Sequence, residues 1–487
     1  MRQLLLFCVS TIFVISCTNS EKPVTKQERI KSENLLPGTS DWLINVNYDT
    51  CSLPDHRFCR RPQVEGYCSQ TSVSTGDTID FFVSTNPVSN YALEIYRMGY
   101  YQGKGGNLKK KVDSLSGKAQ TTPEPDPKTN FFECKWDTSY SLVIPPDWTS
   151  GVYLCKLTTL PDHFQSYMIF IVKDKRKADF IFQCSDLTWQ AYNRWPRWNS
   201  MYDEGHVPWV NTNGAKVSFD RPYAIYINEL PSAFNPLSNG SGEFLMWEYP
   251  LCYWMEKEGY DVTYISNMDT HADSTELLRS KAFLSVGHDE YWTYNMFNNV
   301  RNARDKGVNL LFLSGNSVDG IEYLESSTDG RPNRSTGRMP EREFTNEQEL
   351  MGASSWGVGY ASFVCQAPDH WLFAHTGMKK GDSIPQLVGW EYHGRPAGHQ
   401  PDLTVVAESK VDPLNFGQGP ENHIATIYTA AKGNYVFNAG TCFWVQPLAK
   451  TPAYQHPMEM RKPIDFSHPD ARVQQITKNL LERAIEK

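Results

Sequence analysis

The chain has 487 residues, too many for one ordinary hydrophobic core, so two or three domains are expected. Its composition is that of a globular protein, 40% hydrophobic and 21% charged, with an unusually high aromatic share of 13%. A formal net charge of -8, with lysine clusters only at 109–111 and 173–177, excludes the basic stripe that a nucleic-acid partner demands.

The chain begins MRQLLLFCVSTIFVISC, one early arginine followed by an apolar run over residues 4–15. That run is too short to cross a bilayer and has the length of a signal-peptide core. It closes on Val14-Ile15-Ser16-Cys17, which resembles a bacterial lipobox; residues 1–17 would then be cleaved before an acylated Cys17. A plain secretory signal is the simpler alternative. The lipoprotein reading places the protein in the cell envelope, periplasmic or surface-exposed, held to the membrane by a lipid on Cys17. Residues 18–63 read as a tether and N-terminal extension. Export permits disulfides, and Cys51 with Cys59 and Cys134 with Cys155 are the candidate pairs. There is no C-x-x-C pair, which argues against a cysteine zinc site.

From 64 to 173 the text is strand and turn: NYALEIYRMGYY, GVYLCKL and SYMIFIV alternate apolar and polar residues between Gly, Pro, Asn and Asp clusters. This spacing predicts an immunoglobulin-like β-sandwich. Over 178–487 the rhythm changes. The strand DFIFQCS is followed by a long aromatic loop, TWQAYNRWPRWNSMYDEG, and then by helices at 249–259 and 294–307 alternating with the strands DVTYIS, AFLSVG and VNLLFLSGN. Strand–helix alternation predicts an α/β core with a parallel sheet, Rossmann-like or amidotransferase-like, with the sandwich before it and a β-rich lobe after about 347. A last helix, VQQITKNLLERAIEK, closes the chain.

Ligands of a parallel sheet bind beyond the carboxyl ends of its strands. Those ends carry Tyr192, His288 with Glu290, and Asn316. The stretch FLSVGHDEYWT puts an imidazole and two carboxylates directly after a buried strand. Three readings stay open: Asp289 and Glu290 cap the next helix, His288 is a general acid or base, or His288 and Glu290 ligate a metal from one side of an extended strand end. Nucleophile chemistry has less support. G-x-S-x-G and HExxH are missing, no phosphate-binding glycine loop precedes a helix, and Cys184 reads as a small buried hydrophobe. The aromatic loop is either a lid over apolar surface or a wall that turns Tyr192 toward His288; such a cluster also suits sugar stacking.

The series TWQAYNRW, WEYPLCYWMEKEGYDVTY, SVGHDEYW, GVNLLFLSGN and NYVFNAGTCFW resembles the large (beta) subunit of N,N-dimethylformamidase, and the resemblance spans roughly 64–447. It implies hydrolysis of a linear amide at a mononuclear, ferric iron held by two tyrosinates and one glutamate. By motif, Glu290 is the carboxylate ligand, His288 the catalytic imidazole and Asn316 an active-site amide. Tyr192 is one tyrosine ligand; the second is Tyr249, beside Pro250 at a helix start, with Tyr223 as alternative. Glu391 is a further active-site carboxylate. The family enzyme works with a small partner subunit and in the cytoplasm, so a small subunit or a homo-oligomer is an open expectation here, whereas this chain reads as exported. The alternative from another class is a non-enzymatic surface lipoprotein that binds glycan or protein.

Overall fold

The structure, a computed structural model, describes residues 26–44, 63–129, 131–196, 199–203, 216–224, 239–344, 346–354, 356–398, 400, 402–414, 419–453, 466 and 468–486. The leader, Cys17 and the Cys51–Cys59 pair lie outside them.

Seven strands build the central sheet: β1 (Ala178–Cys184), β2 (Val262–Ser266), β3 (Ser280–His288), β4 (Asn309–Gly315), β5 (Thr404–Lys410), β6 (Asn422–Thr429) and β7 (Tyr435–Asn438). Their side chains alternate between two cores, as the two-residue period of a strand requires. Phe180, Phe182, Leu284, Val286, Leu311 and Leu313 face one core; Ile181, Phe283, Leu310 and Phe312 face the other. Among the helices that pack on these cores are α1 (Asp186–Ala191), α2 (Tyr249–Glu258), α3 (Tyr294–Asp305) and α4 (Ala471–Ile485). On α3, Met296, Phe297, Val300 and Ala303 are buried against the second core.

The sheet corrects the expected fold class. Its order is β2-β1-β3-β4-β7-β6-β5, and it is mixed. β2, β1, β3, β4 and β7 run parallel, but β6 is antiparallel to β7 and β5 antiparallel to β6. Segments assigned by sequence to a separate β-rich lobe therefore complete the same sheet. Strand accounts for 38% of the described residues and helix for 20%, spread over several mixed and antiparallel sheets, so a Rossmann-like parallel α/β core does not describe the molecule. The physical reason is pairing: an inserted four-stranded sheet adds the hairpin Gly320–Glu325 and Ser335–Glu343 to Lys216–Ser218 and Tyr291–Thr293, which lie well before it in the chain.

Over residues 64–173, a three-stranded sheet and a five-stranded sheet enclose a core of their own, including Ile79, Phe81, Leu93, Ile95, Leu157 and Phe170. Cys134 and Cys155 do not pair; both are free and buried. Cys155 points into this core, whereas Cys134 follows no strand and packs with Tyr67, Trp136 and Trp195. Cys184 is likewise a free, buried thiol, its pKa pushed well up by burial. The helix Lys26–Asn34 closes the junction between these sheets and α2, through Glu33 and Asn34.

Candidate metal and acid–base site

His288 ends β3, where Gly287 takes the left-handed backbone (φ 65) and a Cβ would lie 2.3 Å from the Trp247 carbonyl oxygen. Only glycine turns the strand there without strain. The turn aims His288 into a buried cluster of carboxylates, where it is 2% exposed. Its Nε2 is 2.8 Å from Glu391 Oε2 and 3.3 Å from Glu290 Oε2; its Nδ1 is 3.4 Å from Glu243 Oε2. Ligand atoms of His288, Glu290 and Glu391 all lie within 4.8 Å of one another, a geometry able to hold a metal ion.

Two phenols converge on Glu290. Tyr192, the C-cap of α1, donates its hydroxyl to Glu290 Oε2 at 2.6 Å. Tyr202 stacks on Tyr192 with ring centroids 4.9 Å apart, its oxygen 3.2 Å from the Tyr192 oxygen, and donates to Glu290 Oε1 at 3.4 Å. The guanidinium of Arg338 lies 5.6 Å from the ring centroids of both Tyr202 and Tyr291.

Asn316 follows the register partner of His288, because Gly315 pairs with His288 across β3 and β4. It is 2% exposed with φ 49, and its Oδ1 is buried without a hydrogen-bond partner. The turn it opens is docked on the site: Val318 N–H donates to the Asp289 carbonyl, and Asp319 and Gly320 N–H to that of Glu290. Neutral His393 supports it from behind, accepting the Ser317 N–H at Nε2, its own pKa lowered to about 4 by burial.

Burial and charge set the protonation states. Burial pushes the Glu290 carboxyl up, and Glu391 adds to this against the hydrogen bonds from His288 and Tyr192. Glu243 is raised mainly by burial as well. Burial disfavours a charged His288, yet Glu391 and the contacts to Glu243 and Glu290 outweigh it and hold the imidazole protonated well above its usual range. Tyr192 is kept a neutral phenol by burial and the charge of Glu290. Four buried carboxylates, Glu243, Glu290, Glu322 and Glu391, thus share the cations His288 and Arg338.

The structure separates the residues expected from sequence. Tyr192, His288, Glu290 and Glu391 come together, and Asn316 stands on the adjoining turn. Tyr249 does not join them. It is fully buried at the start of α2, packs against Trp42 and Phe244, and donates to the carbonyls of Gly105 at 3.0 Å and Gly99 at 3.4 Å. Tyr223 packs edge-on to Trp189, ring centroids 6.2 Å apart. Nor is Asp289 a helix cap: it accepts from Gln183, Ser285 and Asn267, while Thr293 caps α3. Sequence reasoning missed Tyr202 and Glu243. Tyr202 sits in the quoted aromatic loop, but nothing in that text separates it from its neighbours; Glu243 lies in no motif.

The family model for the C-terminal region of N,N-dimethylformamidase beta subunit-like proteins matches residues 92–457. The chain belongs to this family. No curated protein matches it.

Proposed function

We propose that the protein is an iron-dependent hydrolase of a linear amide, with Tyr192, Tyr202 and Glu290 as the iron ligands. Tyr202 takes the place expected for Tyr249. The observation that carries this reading is the convergence of two phenol oxygens on one carboxylate, at 2.6 and 3.4 Å, in a buried pocket with surplus carboxylates. Oxygen donors of this kind suit a hard, highly charged cation. Further support comes from two buried polar atoms without hydrogen-bond partners beside these residues, Glu243 Oε1 and Asn316 Oδ1.

A ferric ion bound there would supply Lewis acidity toward the amide carbonyl. The chain's own residues do the rest. Trp356 Nε1–H holds Glu391 Oε1 at 3.0 Å and leaves Oε2 facing His288. Water adds to the carbonyl carbon, giving its proton to the Glu391 carboxylate. His288, whose Nε2 lies 2.8 Å from Glu391 Oε2, passes a proton to the nitrogen as the C–N bond breaks, releasing an amine. The side-chain amide of Asn316 hydrogen-bonds the carbonyl oxygen as negative charge develops.

The test is amine release from a panel of small amides. Wild type should turn over at least one, and His288→Gln should lose about 100-fold or more of that rate with its iron retained. Equal rates for wild type and His288→Gln would refute the acid role. Anchoring through Cys17 belongs to the same proposal and is supported by the lipobox-like Val14-Ile15-Ser16-Cys17 after the apolar run. Cys17→Ser should move the protein from the membrane fraction to the soluble one; unchanged fractionation would refute the anchor.

A further inference from the structure

Thr188 is fully buried on α1 and bears no candidate ligand atom. Its Oγ1 accepts two successive backbone N–H groups, those of Glu290 at 3.1 Å and Tyr291 at 3.2 Å. Its carbonyl accepts the backbone N–H of Tyr192 at 3.2 Å. Since the Tyr192 hydroxyl donates to Glu290 Oε2 at 2.6 Å, the contacts close into one ring. We propose that Thr188 is a positioning residue that sets the spacing between the Tyr192 phenol and the Glu290 carboxylate by joining the backbones that carry them. The inference rests on the reading of those two residues as iron ligands.

The need for such a device follows from the topology. Pairing between β3 and β4 ends at His288 opposite Gly315, and the next pairing begins at Tyr291 opposite Gly320. Asp289 and Glu290 lie between the two sheets, and the N–H groups of Glu290 and Tyr291 turn to Thr188 instead of to a strand. The carbonyls of this gap are held by the turn after Asn316, through the N–H groups of Val318, Asp319 and Gly320. The N–H side is held by one hydroxyl, using its two lone pairs. Thr188 therefore stands in for a missing strand, and removing its oxygen would leave two buried donors unpaired. Valine keeps the shape and loses the acceptor; serine keeps the acceptor.

Iron affinity by chelator competition and the tyrosinate-to-iron absorption band test this, with the melting temperature of metal-free protein as control. Thr188→Val should bind iron about 10–100-fold more weakly with a shifted band, and Thr188→Ser should restore both. Wild-type affinity and band in Thr188→Val would overturn the proposal. Should Thr188→Val not fold, Thr188→Cys, whose thiol is a poorer acceptor, should weaken iron binding in the same direction, and no change would overturn it equally. A crystal structure of metal-free Thr188→Val reads the geometry without iron. The 2.6 Å phenol–carboxylate contact should open beyond hydrogen-bonding distance; an unchanged contact would count against the proposal. A wild type that takes up no iron refutes the iron reading alone, and that structure still decides the role of Thr188.

Discussion

Two of the places where this molecule buries glutamates treat the charge in opposite ways. At the junction of the N-terminal sheets with α2, Arg97 and Glu256 are both completely buried and pair through two bonds of 2.9 and 2.8 Å. Asn34 and Tyr264 donate to the remaining lone pairs of Glu256, at 2.8 and 2.9 Å. Beside it, Glu33 accepts from Tyr101, Thr149 and Lys109. Burial works against the Glu33 carboxylate, but Arg97 and Lys109 outweigh it and lower the pKa to about 2. Around His288 the burial is similar and the sign reverses: Glu243 and Glu290 are raised, and several polar atoms lack partners. The junction is electrostatically complete with protein groups alone, whereas the His288 cluster holds more buried carboxyls than cations to pair them. Burial thus does not mark a functional carboxylate; an unfinished set of partners does.

Breaking the junction should cost most. Arg97→Met leaves Glu256 buried without its cation and should destabilise the protein by about 3–5 kcal/mol in denaturant unfolding, with bound iron unchanged until the fold is lost. A loss under about 1 kcal/mol would show that the pair is as expendable as a surface one. The acid response comes next. Glu33 has a folded pKa near 2 against an ordinary value of 4.5. Its contribution is therefore present above pH 4.5 and lost as pH falls through 2, about 3 kcal/mol in all. Glu33→Gln should flatten the stability profile over that window; an unaltered slope would contradict the assignment.

The smallest effect separates the tyrosines. Tyr249→Phe should cost about 1 kcal/mol, for the bond to the Gly105 carbonyl, and leave iron and colour untouched. Tyr202→Phe should weaken or shift the absorption band with little change in the stability of metal-free protein. The reverse pattern would restore Tyr249 as a ligand.

What the sequence made legible was local. The runs DFIFQCS, AFLSVG and VNLLFLSGN read as strands because short stretches of apolar residues fill both faces, and the apolar spacing of 294–307 marked the buried side of α3. His288 and Glu290, two residues apart after a strand, pointed to one pocket for the same local reason. What stayed hidden depends on distant partners. Nothing in LTVVAE or HIATIYTA says that these strands pair antiparallel at the edge of the sheet that β3 and β4 begin. Pro250 marked the start of α2, but it does not fix which way the Tyr249 ring turns, and the ring turns to the Gly99–Gly105 turn rather than to the strand ends. Glu243 reaches His288 from a loop with no periodicity to read.

In the proposed function, iron on Tyr192, Tyr202 and Glu290 completes the cluster around His288. Metal analysis with a visible absorption spectrum, on protein purified in air without chelator, tests it most directly. The expected result is about one iron per chain and a tyrosinate-to-iron charge-transfer colour, both lost in Glu290→Gln. A colourless protein that takes up no added iron, or a colourless divalent metal retained when Tyr192 and Tyr202 are both phenylalanine, would contradict it. The second result would move the site to His288, Glu290 and Glu391 alone.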